Sequence, residues 1–263
     1  MSERHDARAS EQGPPAATLP ASVKVSVLFR SLLVQAAWNY RTMLGTGMAF
    51  ALTPVLRHVH DDPAEVERAV ARHASLFNAH PYLASLALGA LGRMEMDGVD
   101  PAQVERFRAA LPGPLGAIGD RLVWAGWLPL CSLLGITISA AFSIAAGVVT
   151  FLLVYNAGHL AVRFWGFELG WSAGLSLGSR LGGLGLAREA RRVEAGICLL
   201  IGVVSGVLLT DLAGGGASSL LVLCGVLALL AGHVSGPRAW RPTAWIVTLG
   251  VGVLAGAGHF FSL

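Results

Sequence analysis

The stretch LVWAGWLPLCSLLGITISAAFSIAAGVVTFLLVYNAGHLAV, residues 122–162, decides the fold class: its 41 consecutive residues contain no Asp, Glu, Lys or Arg. A helix needs about 20 apolar residues to cross a bilayer, so the run is long enough for two crossings joined by a tight turn. The mostly small residues 139–147, SAAFSIAAG, offer a place for the break. One long tilted helix with a re-entrant piece has the same length, and length alone does not choose between them.

Working outward, the charge is unevenly spread. Residues 1–121 carry 24 of the 35 Asp, Glu, Lys and Arg residues, and residues 122–263 carry the other 11. Over all 263 residues, 13% are charged and 54% hydrophobic, with a mean hydropathy of +0.62. A soluble domain has about 25% charged residues, because its surface has to meet water. That excludes a soluble enzyme. The net charge of +3 does not indicate a nucleic-acid binder: 18 of the 19 basic residues are Arg, Lys24 is the exception, and they form no patch. Cys131, Cys198 and Cys224 lie far apart inside apolar runs and read as small buried hydrophobes. Residues 1–22 are polar and rich in Ala and Pro, with no apolar core of a signal peptide, and read as a disordered cytoplasmic tail.

Beyond 162 the more polar residues 163–194 precede three further apolar runs, 195–210, 218–234 and 243–261. With spans near 122–140 and 143–162, these make about five transmembrane helices. Gly202/Gly206 and Gly252/Gly256 repeat at the four-residue spacing that lets helices pack closely, although glycine is also generally common in membrane helices. Arg163, Arg180, Arg188, Arg191 and Arg192 fall in one connection, and Arg238 and Arg241 fall two spans later. Two crossings return the chain to the same side, so both basic loops, and the N-terminus, are expected in the cytoplasm and the C-terminus outside.

Residues 23–121 read differently. The apolar stretch 23–56 is broken by Lys24, Arg30 and Arg41, with Trp38-Asn39-Tyr40 in its middle. An ordinary spanning helix does not carry such a cluster at its midpoint; a re-entrant hairpin or a surface-lying amphipathic helix does. Residues 63–77 read as a polar helix capped by Asp62, with Glu65 in the capping-box position. Residues 81–91 are apolar but too short to span. The fold class expected is all-α: a polytopic membrane protein with N-terminal amphipathic or re-entrant helices.

Three polar clusters interrupt these apolar surroundings: QAAWNYR (35–41), FNAHPY (77–82) and GPLGAIGD (113–120). Each sets amide, imidazole or carboxylate groups beside apolar or aromatic ones, as sugar sites do when rings stack on the sugar face and Asn or Asp binds its hydroxyls. The same groups also suit the caps of broken helices.

These clusters carry a resemblance. SLLVQAAWNYRTMLGTGMAFALTPVL (31–56), HASLFNAHPYLASLALGAL (73–91), LPGPLGAIGDRLVWAGWLPL (111–130) and VYNAGHLAVRFWGFELG (154–170) run in the order found in the IID subunit of the mannose/fructose/sorbose family of the bacterial sugar phosphotransferase system. The chain resembles that family over about 140 residues. The resemblance implies a multi-pass subunit of the bacterial inner membrane that forms the sugar translocation unit with a IIC subunit. Cytoplasmic IIA and IIB proteins relay phosphate from phosphoenolpyruvate to the hexose. The IID chain itself is not phosphorylated, needs no cofactor and is no enzyme by itself. By matching motif, Trp38, Asn39, Asn78, His80 and Asp120 are the positions that would bind substrate or support its site. Two departures favour the alternative of a non-transporting regulatory or assembly subunit. Arg121 directly follows Asp120, and the C-terminal part is shortened, with only residues 214–217 between two spans.

Other patterns carry less. His58, His60, Asp61 and Asp62 resemble a metal cluster, but two His at i and i+2 diverge on a helix and no third ligand is near in sequence. The glycines of 178–185 lack the GKS/T of a phosphate loop and read as a flexible loop. His233 and His259 lie at span ends, where they reach the interface. An unrelated membrane enzyme using His80 and Asp120 would be active without IIC, whereas transport predicts IIA, IIB and IIC genes beside this one.

Overall fold

The computed structural model describes residues 19–183 together with positions 185, 193 and 197. The tail before residue 19, the expected spans at 195–210, 218–234 and 243–261, and the glycine pairs and histidines within them lie outside the described residues. Among the described residues every regular element is helical. The chain divides into two compact units, one holding residues 19–117 and 161–183, the other 118–160.

The first unit begins with α1 (Ala21–Ser31) and α2 (Gly45–Val59), and the stretch 23–56 is therefore two helices with the WNY cluster in the turn between them. Two of the three cations that interrupt the apolar stretch, Arg30 and Lys24, have structural partners. Pro54 inside α2 has no N–H, which leaves the Phe50 carbonyl without its helical donor. Arg30 Nη1 donates to that oxygen at 3.1 Å and its guanidinium sits 4.6 Å from the centre of the Phe50 ring. Lys24 forms an ion pair with Glu168.

Helix α3 (Pro63–His73) starts where the sequence predicts: Asp62 Oδ1 accepts from Ala64 N at 2.9 Å. The capping box is incomplete, because Glu65 turns to His60 Nδ1 at 3.4 Å and to Arg68. The helix also stops at His73, short of 77. Helix α4 (Ala84–Met96) contains the apolar residues 84–91 and is buried at nearly every position, which makes it the core of this unit.

What covers α4 is the end of the long helix α8 (Ile144–Ala173), and glycine sets their approach. A Cβ on Gly89 would meet Trp171 N at 2.6 Å and the Phe167 carbonyl oxygen closer still. A Cβ on Gly170 would lie 2.9 Å from Ala90 N, and one on Gly166 2.5 Å from Ser85 Oγ. Gly166 and Gly170 are thus a small-xxx-small pair at a working crossing. The chain between α4 and the second unit forms α5 (Pro101–Ala110) and α6 (Pro112–Gly119).

Arg163 is corrected by this packing. It is not a loop cation: α8 continues past 162 to Ala173, and Arg163 is buried in it, donating to the Ser31 carbonyl at the end of α1. Residues 163–173 are polar enough to suggest a loop, but packing against α4 keeps them helical. Likewise, of the residues 178–185 read as a flexible loop, 178–183 lie in a short helix, α9 (Leu177–Gly183).

The second unit opens with a π-helical segment, Asp120–Trp127, followed by α7 (Leu128–Ala141). The chain breaks at Phe142-Ser143, within the small-residue stretch, and Ser143 Oγ accepts from Ala146 N at 3.2 Å to start α8. The two helices run back antiparallel. Gly135 and Gly147 face each other, Gly158 lies under the Trp127 indole, and Trp127 Nε1 donates to the Tyr155 carbonyl at 3.4 Å. Two helical stretches, Pro101–Ser139 and Ile144–Gly183, are long and apolar enough to cross a membrane. Of the most apolar 18-residue window of the second, only 6% is buried. Its Val148, Val149, Leu152 and Leu153 point outward, as a lipid-facing surface requires.

Candidate functional site

Within the first unit the WNY and FNAHPY clusters meet through their backbones. Asn39 builds the turn on one side. Its Oδ1 accepts from the N–H groups of Arg41 and Thr42, both at 3.0 Å, and its Nδ2 donates to Thr42 Oγ1 at 2.8 Å and the Ala37 carbonyl at 3.2 Å. Both acceptor positions and both amide hydrogens are used. The turn carries Met43 at φ +51°, a left-handed conformation rare outside glycine. Phe77 N then donates to the Thr42 carbonyl at 3.1 Å and Leu44 N to the Phe77 carbonyl at 3.0 Å, a short parallel bridge joining the two motifs. The glycine-rich motif joins them at Gly116, where a Cβ would lie 4.0 Å from Asn78 O and from Ala79 Cα.

Of the residues singled out from sequence, four share this junction. Trp38 and Asn78 are exposed, and Trp38 meets Tyr40 edge-on at 4.8 Å, with Tyr40 85% exposed. Asn39 is engaged in the turn. His80 is only 2% exposed: its Nδ1 accepts from Tyr82 N at 3.2 Å and its ring meets the Tyr82 ring edge-on at 5.2 Å. The guanidinium of Arg163 lies 5.2 Å from that Tyr82 ring. Asn39 and His80 are therefore built into the scaffold, while Trp38 and Asn78 present their side chains. Asp120 belongs to the second unit, where it is the exposed first residue of the π-helical segment. Such segments recur at functional sites because the looser turn re-aims side chains.

The sequence reading missed a buried ionic cluster. Glu95, 5% exposed near the end of α4, takes a hydrogen bond from Arg72 Nη2 at 2.8 Å and one from His73 Nε2 at 2.7 Å; His60 Nε2 lies 3.6 Å away. Burial pushes the Glu95 carboxyl up, but the hydrogen bonds and charges of His73 and Arg72 outweigh it and hold the group at about 2. Burial also lowers His73 from its ordinary value of 6.5, against the pull of Glu95, and its Nε2 stands 2.7 Å from the Glu95 carboxylate. His60 also helps line an open cleft of about 640 Å³ with Arg57, Asp61 and Glu67. Its partners are Glu65 and Glu95, and no group of three or more His, Cys, Asp or Glu able to hold a metal occurs among the described residues. A carboxylate closing an apolar helix, GRMEM at 92–96, was the available signal.

Among the described residues the chain is all-helical, with two helices long and apolar enough to cross a membrane. The family follows from comparison. The model of the PTS system mannose/fructose/sorbose family IID component matches residues 19–210, and the chain belongs to that family. It is 31% identical over 163 residues to the mannose-specific EIID component of Escherichia coli K12, covering 60% of this chain and 57% of that protein. To the sorbose-specific EIID component of Klebsiella pneumoniae it is 29% identical over 191 residues, 71% of this chain and 68% of that one. The match thus spans less than two thirds of the E. coli relative. In fold it is similar to a chain of the mannose transporter ManYZ solved with microcin E492, with a TM-score of 0.56 and 24% identity over 94% of this chain and 98% of that one. A second solved membrane protein matches with a TM-score of 0.65 and 23% identity, over 94% and 99% of the two chains.

Proposed function

We propose that this chain is the IID membrane subunit of a phosphoenolpyruvate-dependent sugar transporter of the mannose family, forming the translocation unit with a IIC subunit in the bacterial inner membrane. Cytoplasmic IIA and IIB proteins supply the phosphate that modifies the hexose on entry, and this chain catalyses no step alone. The observation that carries the reading is the family match over 19–210 together with the meeting of WNY, FNAHPY and Gly116 at one place. Trp38 and Asn78 are assigned to sugar contact, the ring to stack and the amide to bind hydroxyls; Asn39 and His80 hold the loops that present them. Asp120 is assigned to sugar contact on its own account, its exposed carboxylate suited to accept hydroxyl hydrogen bonds.

The test is phosphoenolpyruvate-dependent uptake across a hexose panel in cells co-expressing this chain with its IIC, IIA and IIB partners. Asn78→Ala and Asp120→Asn are expected to lower uptake at least tenfold, about 1.4 kcal/mol or more, at unchanged membrane levels of the complex. If no hexose enters while the chain still co-purifies with IIC, the transport reading fails. The chain then acts as a regulatory or assembly subunit, as the Arg121 neighbour of Asp120 allows.

A further inference from the structure

We propose that Arg108 is the positioning residue of the FNAHPY loop, setting where Asn78 stands relative to the Asn39 turn; this deepens, and rests on, the transport reading above. Helix α5 is polar and largely exposed, yet Arg108 is 2% exposed, one turn after the buried Val104. Its guanidinium gathers the backbone that follows α3. Nη2 donates to the His73 carbonyl at 2.9 Å and the Ser75 carbonyl at 2.6 Å; Nη1 donates to Ser75 Oγ at 2.6 Å and the Leu76 carbonyl at 3.2 Å. The same group lies 5.2 Å from the Phe77 ring centre. The His73 carbonyl is one that a helix end leaves without a donor; the other three acceptors, the Ser75 carbonyl and hydroxyl and the Leu76 carbonyl, lie in the segment after it, and one side chain from another helix collects all four.

Capping alone would end at His73. The held segment instead runs into Phe77, whose N–H and carbonyl make the bridge to Thr42 and Leu44, and on to Asn78 beside Gly116. Arg108 is thereby connected to the Asn39 turn through its bond to the Leu76 carbonyl, the peptide link to Phe77, and the Phe77–Thr42 and Thr42–Asn39 hydrogen bonds. The Nε of Arg108 is buried without a hydrogen-bond partner, so the group is oriented for the loop carbonyls rather than for its own full satisfaction. Lysine cannot replace it: three donors on one nitrogen do not span four acceptors arranged around a planar fork.

The test uses the full chain in the membrane with its IIC, IIA and IIB partners, comparing Arg108→Lys with Arg106→Lys, an exposed control on the same helix. Arg108→Lys is expected to speed amide exchange in peptides covering 42–44 and 74–79. It should also raise KM for sugar roughly threefold to tenfold while the maximal rate per complex changes little. Combined with Asn78→Ala, its effect on KM is expected to be less than additive, since both act through one side chain. If Arg108→Lys fails to accumulate, Ser75→Ala, which removes one of the four acceptors, is expected to shift KM and exchange the same way by less. Unchanged loop exchange, an unchanged KM with loss only of complex, or full additivity with Asn78→Ala would overturn the proposal. Absence of uptake in wild type instead overturns the transport reading, and the exchange data then decide by themselves whether Arg108 holds the loop.

Discussion

Glu95 and His73 make a pair whose pH response has a definite sign. Glu95 is held at about 2 in the fold against an ordinary 4.5, so its stabilisation is complete above pH 4.5 and is lost as pH falls toward 2. Burial lowers His73 below its ordinary 6.5, so the unfolded chain takes up that proton first and the fold weakens as pH drops through 6.5. Both groups act in the same direction, and both lie outside the two membrane-length helices. Denaturant unfolding of the detergent-purified protein is expected to show stability falling from pH 6.5 and falling further below 4.5. Glu95→Gln should lose about 3 kcal/mol or more at neutral pH, because Arg72 is left without its carboxylate, and should flatten the slope below pH 4.5. A slope in the variant equal to that of wild type would show that other carboxylates dominate.

At the scale of elements, the α4–α8 crossing depends on absent side chains. Gly89 and Gly170 stand where backbone atoms of the facing helix occupy the space a Cβ needs. Gly89→Ala is expected to lower the thermal midpoint by several degrees, corresponding to about 1–3 kcal/mol of overpacking. Gly178→Ala in α9 has the opposite expectation. A Cβ there meets nothing within 4 Å, and alanine favours a helix by about 1 kcal/mol over glycine. Differential scanning of the two variants side by side checks both signs. The α1–α2 pair makes a related point, since Arg30 completes the carbonyl that Pro54 frees.

For the whole molecule, the open quantity is topology. The cation pattern that assigns the sides loses Arg163, now a buried helix residue, and Arg180, which lies in α9, but keeps Arg188, Arg191 and Arg192 in one stretch of sequence and Arg238 and Arg241 in the other. The five-span reading therefore retains its prediction: both basic connections in the cytoplasm, the C-terminus outside. Alkaline phosphatase, which is active only outside the cytoplasm, is expected to be active when fused after Leu263 and inactive when fused after Arg192. Activity at both points, or at neither, would change the number of crossings between them.

Composition and charge alone pointed to a helical membrane protein, since 41 uncharged residues in a row suit two bilayer crossings. They also marked WNY, FNAHPY and GPLGAIGD, because polar groups in apolar surroundings stand out locally. The roles within those motifs were not legible. Nothing local distinguishes Asn39, with every hydrogen-bonding position used in a turn, from Asn78, which is exposed. Nor does sequence place Arg108 or Glu95 inside the fold, because a charge is buried only when partners 20 to 35 residues away supply its hydrogen bonds. The tertiary structure decides such things because a buried charge, a packed glycine and a continued helix each owe their stability to contacts between segments distant in the chain.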